Sequence, residues 1–152
     1  MMIVSAVLII ALCFMTIVCK ILYQLLKESN STLNNTQHML FVLRKMDKRS
    51  EQQNNYLEKR LQSDNYRNIA IYGYSIIGKR IEKELQNTEI NVECIVDQNA
   101  ANLISNRPIY SNVEKIPSVD AIVVTVVSQY YEIKKYLSDK VQCPIISLEE
   151  LL

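Results

Sequence analysis

Residues 68–79 read Asn-Ile-Ala-Ile-Tyr-Gly-Tyr-Ser-Ile-Ile-Gly-Lys, and this stretch decides the fold. The apolar run at residues 69–72 is typical of a β-strand, and apolar residues four apart from position 77 to position 85 are typical of a helix. Between them stand Gly73 and Gly78, the only two glycines of the chain. They take the first and third positions of Gly-x-Gly-x-x-Gly, with Ser75 at the second, which predicts the strand–turn–helix opening of a dinucleotide-binding unit.

The turn after the first strand of such a unit lies at the switch point of the sheet, where ligands bind. Gly73 permits the tight turn, and Gly78 lets the following helix pack closely on the sheet. The backbone at Tyr74, Ser75 and Ile76 then opens the helix, where amides and the helix dipole favour a phosphate. These five residues are the first candidates for cofactor binding.

Ser75 leaves a second interpretation of this turn open. Its side chain intrudes where a glycine would let a pyrophosphate approach the backbone. A serine is also a good N-cap for a helix that starts at Ile76, and its hydroxyl would then satisfy amides that a phosphate needs. The pattern therefore predicts either a nucleotide site or a structural turn that has lost its ligand.

Two further candidates follow later strands. Asp97 comes 24 residues after Gly73, at the end of the next strand-like run. Its carboxylate either accepts hydrogen bonds from ribose hydroxyls or caps a turn at residues 98–104. Ser128 and its neighbour Gln129 follow the fourth strand and would line the same crevice, as weaker candidates.

No catalytic or metal-binding residue is predicted. Tyr130 with Lys134, and Tyr131 with Lys135, have the Tyr-x-x-x-Lys spacing of a proton-transfer pair. With nine tyrosines in the chain, this spacing arises easily by chance. The single histidine, His38, has no second histidine to pair with, and the four cysteines are dispersed, which favours reduced structural cysteines over a metal site or disulfides.

The rest of residues 66–152 alternates in the βαβ manner. Strands are predicted at residues 69–72, 90–96, 108–110, 121–127 and 144–146. Helices are predicted at residues 76–86 and 130–137, with short helical turns at residues 100–104, after Ser111 and after Ser147. Right-handed crossovers give a parallel sheet in the order 3-2-1-4-5. The fold class is therefore α/β, a minimal doubly wound domain preceded by a transmembrane helix and a long helical segment.

The transmembrane helix is predicted from residues 1–25, of which the first 19 carry no charge. Such a run nearly spans a hydrocarbon core of ~30 Å, and Lys20 can place its ammonium at the interface. A cleaved signal peptide is the alternative, but it would need a basic segment before the apolar run. Basic residues follow the run, which predicts a single-pass membrane protein with its C-terminal domain in the cytoplasm.

Residues 26–65 are predicted to form a coiled coil or helical linker, because they contain no proline or glycine. With Leu26 at position a of a heptad, leucine fills half of the a and d positions through residue 64. Asn54 falls at an a position and would favour two strands in register. The prediction is a homo-oligomer through residues 26–64, and the alternative is a solvated single helix or a partly disordered tether.

The charge distribution argues against nucleic acid as a partner. Residues 27–67 carry eight basic and five acidic side chains, whereas residues 68–152 carry eight basic and eleven acidic ones. A weakly acidic globular half repels phosphate over most of its surface.

Residues 68–152 resemble the small Rossmann-like domain at the N-terminus of bacterial polysaccharide-biosynthesis proteins, which include nucleotide-sugar dehydratases or epimerases and sugar acyltransferases. The segments that carry the resemblance are Ile-Ala-Ile-Tyr-Gly-Tyr-Ser-Ile-Ile-Gly-Lys-Arg (69–80), Val-Glu-Cys-Ile-Val-Asp (92–97), Arg-Pro-Ile-Tyr-Ser (107–111), Val-Asp-Ala-Ile-Val-Val-Thr (119–125) and Pro-Ile-Ile-Ser-Leu-Glu-Glu (144–150). Ser75 departs from the usual second glycine. The resemblance implies NAD(P) or a nucleotide-sugar as ligand and a polysaccharide-assembly protein as partner. In that group the Rossmann-like domain usually precedes a catalytic domain, and no catalytic domain is expected in this chain.

Two functions of different class follow as expectations. The first is a membrane-anchored, non-catalytic Rossmann-like module that binds a nucleotide-type ligand or docks a partner in surface-polysaccharide biosynthesis. The second is a structural, oligomerising scaffold with a vestigial nucleotide site. An NAD-dependent epimerase or dehydratase is a weaker third, because no convincing catalytic residues are found, and a regulatory nucleotide domain of potassium transport is a remoter analogue.

Overall fold

The computed structural model describes the backbone of residues 2–152 and the side chains of residues 12–152. The chain divides into two compact units, Met1–Met39 and Leu40–Leu152. The first helix, α1, runs over Met2–Gln52 and so contributes to both units. Among the residues described, no helix is sufficiently long and apolar to cross a membrane. The start of the predicted anchor at residues 1–25 lies outside the described side chains.

The unit Leu40–Leu152 is built on one five-stranded sheet. Its strands are β1 (Asn68–Tyr72), β2 (Asn91–Val96), β3 (Ile109–Tyr110), β4 (Ala121–Val124) and β5 (Ile145–Ser147). All neighbouring pairs are parallel, and the order is β3-β2-β1-β4-β5. The predicted α/β class, parallel sheet and strand order are confirmed.

Helices and short helical turns connect and flank the strands. The α-helices after α1 are α2 (Tyr56–Ser63), α3 (Ile76–Leu85), α4 (Tyr130–Ser138) and α5 (Leu148–Leu151). The 3₁₀ turns are Ala100–Asn102, Val113–Lys115 and Val127–Gln129. Asn112, not Ser111, caps the second of these turns, because its Oδ1 accepts the Glu114 amide at 3.0 Å. Ser147 caps α5 as predicted, with its Oγ accepting from the Glu149 amide at 3.3 Å.

The centre of the sheet is apolar on both faces. All four residues of β4 are fully buried, which is why its sequence is a continuous apolar run. On one face, Ala70 and Ile122 pack against Tyr130 and Leu137 of α4. α3 buries Ile77, Ile81 and Leu85, while α2 contacts both α3 and α5. Two helical layers therefore cover the sheet.

The predicted heptad seam does not continue to residue 64. α1 ends at Gln52, and Asn55 takes a left-handed conformation with φ 56° before α2 begins. Leu57 and Leu61, assigned to the seam, are 2% and 1% exposed within the unit Leu40–Leu152. Asn54 lies exposed in the turn between the helices and not in a buried seam. The physical reason is that asparagine tolerates the left-handed turn and the folded unit offers these leucines an apolar surface.

The last turns of α1 belong to the folded unit. Val42 and Met46 are fully buried, although neither lies at a predicted seam position. The Arg49 Nε donates to the carbonyl oxygen of Leu152 at 2.6 Å, and Asp47 pairs with the guanidinium of Arg80 at 2.8 Å. The compact unit thus begins at residue 40, upstream of the predicted boundary at residue 66.

Candidate functional site

Gly73 forms the turn that follows β1, and its backbone requires glycine. Its φ is +92°, a conformation that side-chain-bearing residues rarely adopt. A Cβ here would lie 2.6 Å from Val126 Cγ2 and 2.8 Å from Thr125 Oγ1. The Gly73 amide donates to the carbonyl of Val96 at 2.9 Å, which joins the turn to the end of β2.

Gly78 permits the close approach of α3 to this turn. A Cβ at Gly78 would lie 2.3 Å from the carbonyl oxygen of Gly73, a distance no real contact of this kind shows. Gly78 thus lets α3 approach the turn after β1, and its role in a nucleotide site stays a prediction. Both glycines are required by the turn itself, whether or not a ligand binds.

Ser75 occupies the N-cap position of α3, as predicted, but its hydroxyl makes no capping hydrogen bond. The expectation that the hydroxyl satisfies the first amides of the helix is wrong. Ser75 is exposed, so water competes for its hydroxyl, and only its carbonyl serves α3, accepting from the Lys79 amide at 3.0 Å. Ser75 therefore does not occupy those amides.

Asp97 links the end of β2 to the glycine turn. Its Oδ2 accepts the Tyr74 amide at 2.7 Å, and its Oδ1 accepts the Asn99 amide at 2.8 Å. The bond from Asn99 holds the chain just after β2, but Asn99, not Asp97, is the N-cap residue of the Ala100–Asn102 turn. Each carboxylate oxygen keeps a further lone pair, so ribose binding by Asp97 stays a prediction.

The side chain of Tyr74 is used inside the fold. It is 5% exposed, and its hydroxyl donates to a carboxylate oxygen of Glu82. The Ser105 hydroxyl donates to the other oxygen at 2.9 Å. Burial, and then the bond to Glu82, raise the pKa of the Tyr74 phenol. Both the phenol hydroxyl and the backbone amide of Tyr74 are therefore engaged within the fold.

Thr125 fixes the glycine turn structurally, a role that the sequence analysis does not assign to it. It is 2% exposed, and its Oγ1 donates to the carbonyl of Gly73 at 2.8 Å. Its amide also donates to the carbonyl of Tyr72 at 3.0 Å. The signal was present, because Thr125 is the one polar residue within the apolar run of residues 121–127.

A crevice of about 180 Å³ opens at the carboxyl edge of the sheet. Its walls include Tyr72, Gly73, Asp97, Gln98 and Gln129. Burial raises the pKa of the Tyr72 phenol, and the nearby Tyr136 and then Asp97 raise it further. The volume is below the roughly 300–1,000 Å³ of ordinary small-molecule pockets, so the crevice accommodates part of a nucleotide and not a whole dinucleotide.

The remaining candidates, Ile76 and Ser128, do not line this crevice. Ile76 is 59% exposed at the start of α3. Ser128 is exposed in the 3₁₀ turn Val127–Gln129, of which only Gln129 lines the crevice. The Tyr130 hydroxyl donates to the carbonyl of Ile145 at 3.0 Å, which gives it a structural role. Tyr131 is 84% exposed. Within the described part of the chain, no group of histidine, cysteine and acidic residues is placed to hold a metal.

The geometry brings two of the predicted site residues, Gly73 and Asp97, to the walls of one crevice, joined through the amide of Tyr74. Gly78 supports the turn from the side of α3. No family model, curated protein or solved structure matches this chain.

Proposed function

We propose that the protein is a membrane-anchored, non-catalytic Rossmann-like module that binds a nucleotide or nucleotide-sugar in surface-polysaccharide biosynthesis. The observation that carries the proposal is the position of Asp97. Its carboxylate is fixed by the amides of Tyr74 and Asn99 at the wall of a crevice that Gly73 also lines. In doubly wound folds, the acid after the second strand and the glycine turn form the nucleotide site.

The chemistry of the crevice favours the nucleoside part of such a ligand. The free lone pairs of Asp97 accept hydrogen bonds from ribose hydroxyls, and the amide groups of Gln98 and Gln129 pair with base edges. A phosphate beside Asp97 would meet a carboxylate, which repels it. The phosphate is therefore directed toward the exposed start of α3 at Ser75 and Ile76.

The anchor is proposed from the sequence of residues 1–25. Its uncharged run and the basic residues that follow it support a single membrane pass with the C-terminal domain in the cytoplasm. Alkaline carbonate extraction tests this, since an anchored chain stays in the membrane pellet. Release of the full chain into the supernatant would overturn the anchor and leave the crevice unaffected.

A second candidate function is a scaffold whose turn binds no ligand. This function is favoured because hydrogen-bonding groups of the glycine turn already bond to other residues of the chain. Asp97 accepts the Tyr74 amide, Thr125 donates to the Gly73 carbonyl, and Gly78 fits that same carbonyl. In this case the protein acts by homo-oligomerisation and by docking a polysaccharide-assembly partner.

A thermal-shift screen on the full chain in a non-ionic detergent distinguishes the two functions. NAD, NADP, ATP and UDP-sugars are added singly, and a ligand at 100 times its Kd stabilises the fold by about 2.7 kcal/mol. Substitution Gln129→Ala removes one wall of the crevice, and we expect it to weaken binding by roughly 2- to 10-fold, the value of one hydrogen bond.

Gln142→Ala, at an exposed glutamine that does not line the crevice, is the matched control and should leave binding unchanged. Unchanged melting curves with every ligand would reject the nucleotide proposal and favour the scaffold. Equal weakening in both variants would place the ligand elsewhere on the domain.

A further inference from the structure

A second cavity, of about 230 Å³, lies between α3 and the segment that joins β2 to β3. Its walls carry the cations Lys79, Lys83 and Arg107, together with the carboxylate of Glu82. It shares no lining residue with the crevice at the carboxyl edge. We refer to it as the basic groove.

The basic groove carries a net positive charge, because its walls hold three cations and one carboxylate. Both carboxylate oxygens of Glu82 already accept hydrogen bonds, one from the Tyr74 hydroxyl and one from Ser105. Among the described residues, neither Lys79 nor Lys83 forms an ion pair, and the two are like-charge neighbours one helical turn apart. Three cations thus share the groove with a single carboxylate, which offsets only part of their charge.

Arg107 is held in place before any ligand arrives. Its Nη1 donates to Asn91 Oδ1 at 3.3 Å, and its backbone amide donates to Ser105 Oγ at 2.9 Å. The orientation of Asn91 is fixed in turn, because its Nδ2 donates to Glu93 at 2.6 Å and to Asn68 at 3.3 Å. Most of the five N–H donors of the guanidinium remain available.

We propose that the basic groove binds a phosphoryl or pyrophosphoryl group. Arg107 presents the planar fork that pairs with two oxygens of such an anion, while Lys79, whose ammonium lies over the Tyr74 ring, and Lys83 supply point charges from α3. The cavity volume admits one or two phosphate groups. The same chemistry is offered by a soluble phosphate ester and by a phospholipid headgroup. The site is separate from the crevice and does not depend on nucleotide binding there.

Calorimetric titration of the full chain in a non-ionic detergent with inorganic pyrophosphate tests the proposal. We expect saturable binding that weakens as salt is added, because the groove is partly open to solvent. Lys83→Gln and Arg107→Gln should each raise the Kd about tenfold. Lys135→Gln removes an exposed charge on α4, outside the groove, and should leave the Kd unchanged.

Hydrogen exchange on the chain in phospholipid nanodiscs distinguishes the two sources. Protection of residues 79–86 and 105–108 that appears only with anionic lipid, and is lost in Arg107→Gln, would identify a headgroup as the source. Pyrophosphate binding without such protection would identify a soluble phosphate. No saturable heat up to about 10 mM together with no lipid-dependent protection would overturn the proposal, and so would equal weakening in Lys135→Gln.

Discussion

At the scale of single residues, each glycine is required by the backbone: Gly73 has a positive φ, and Gly78 leaves no room for a Cβ. The carbonyl oxygen of Gly73 occupies the space in which any side chain at position 78 would start. That carbonyl is itself held by the hydroxyl of Thr125. The turn is therefore closely packed: the Gly73 carbonyl lies against the backbone of Gly78 and accepts a hydrogen bond from the Thr125 hydroxyl.

The first prediction concerns Gly78→Ala. The added Cβ would lie 2.3 Å from backbone, so α3 must move away from the turn, and we expect the free energy of unfolding to fall by roughly 1–3 kcal/mol. Ile76→Ala in the same helix is the control, since that side chain is more than half exposed. Chemical denaturation of both variants measures the difference. Equal stability of Gly78→Ala and the wild type would contradict the close approach of α3 to Gly73.

The second prediction concerns Asp120, whose Oδ2 accepts the amides of Asn68 at 2.7 Å and Arg67 at 2.9 Å. These bonds, that from Asn68 first, lower the pKa of the Asp120 carboxyl below its ordinary value. A lowered pKa means that the stabilisation is present above the ordinary value of about 3.9 and is lost as the pH falls through the folded-state pKa. We therefore expect Asp120→Asn to have a lower Tm than the wild type at pH 7.

The gap in Tm between Asp120→Asn and the wild type should narrow as the pH falls from about 5 toward and below the folded-state pKa. Asp139→Asn makes the same charge change at another exposed position and serves as the control. A gap that stays constant with pH would show that the charge of Asp120 contributes nothing to these bonds.

At the scale of elements, the sheet could be predicted because each strand carries a local signal. The order β3-β2-β1-β4-β5 follows from right-handed crossovers once the strands are placed. The ends of strands were less predictable. β4 ends at Val124, and the next residue, Thr125, donates its hydroxyl to the carbonyl of Gly73, a contact between residues 52 positions apart.

Part of the candidate site could also be predicted, because the glycine turn carries a local sequence signal. Gly73 and Gly78 predict the turn by their five-residue spacing, and the chain has no other glycine. The bond from the Tyr74 amide to Asp97 depends on how two strand ends meet, and no local pattern encodes it. The basic groove also escaped sequence reasoning, because Arg107 lies far along the chain from Lys79 and Lys83.

The third prediction concerns the last turns of α1, which the heptad pattern assigned to a coiled coil. Met46 is fully buried in the unit Leu40–Leu152, so Met46→Ala should lower the free energy of unfolding by roughly 2–5 kcal/mol. Leu40→Ala is the control, because Leu40 is 47% exposed and should tolerate the change much better. Urea denaturation of the two variants measures the difference. A larger loss in Leu40→Ala would indicate that the heptad face, and not Met46, packs on the domain.

At the scale of the whole molecule, the leucines of the predicted heptad seam divide into an exposed and a buried group. Leu26, Leu33 and Leu40 remain 64%, 55% and 47% exposed, whereas Leu57 and Leu61 are buried within the unit Leu40–Leu152. A homo-oligomer through residues 26–64 can therefore use only the first part of that range. This narrows the proposed contact between copies to about two heptads, which is short for an independent coiled coil.

The fourth prediction tests this narrowed contact by disulfide cross-linking of the full chain in detergent. Cys13, Cys19 and Cys143, which are exposed or partly exposed, are first replaced by serine. In that background Leu33→Cys should give a covalent dimer on oxidation, because facing a residues of a parallel pair lie close together. Leu61→Cys should remain monomeric, because its position is closed off by the fold of its own chain. Asn34→Cys, one residue off the seam, controls for random collision. Equal cross-linking at positions 33 and 34 would mean that the helix does not pair along its leucines, and the protein would then act as a single tethered module.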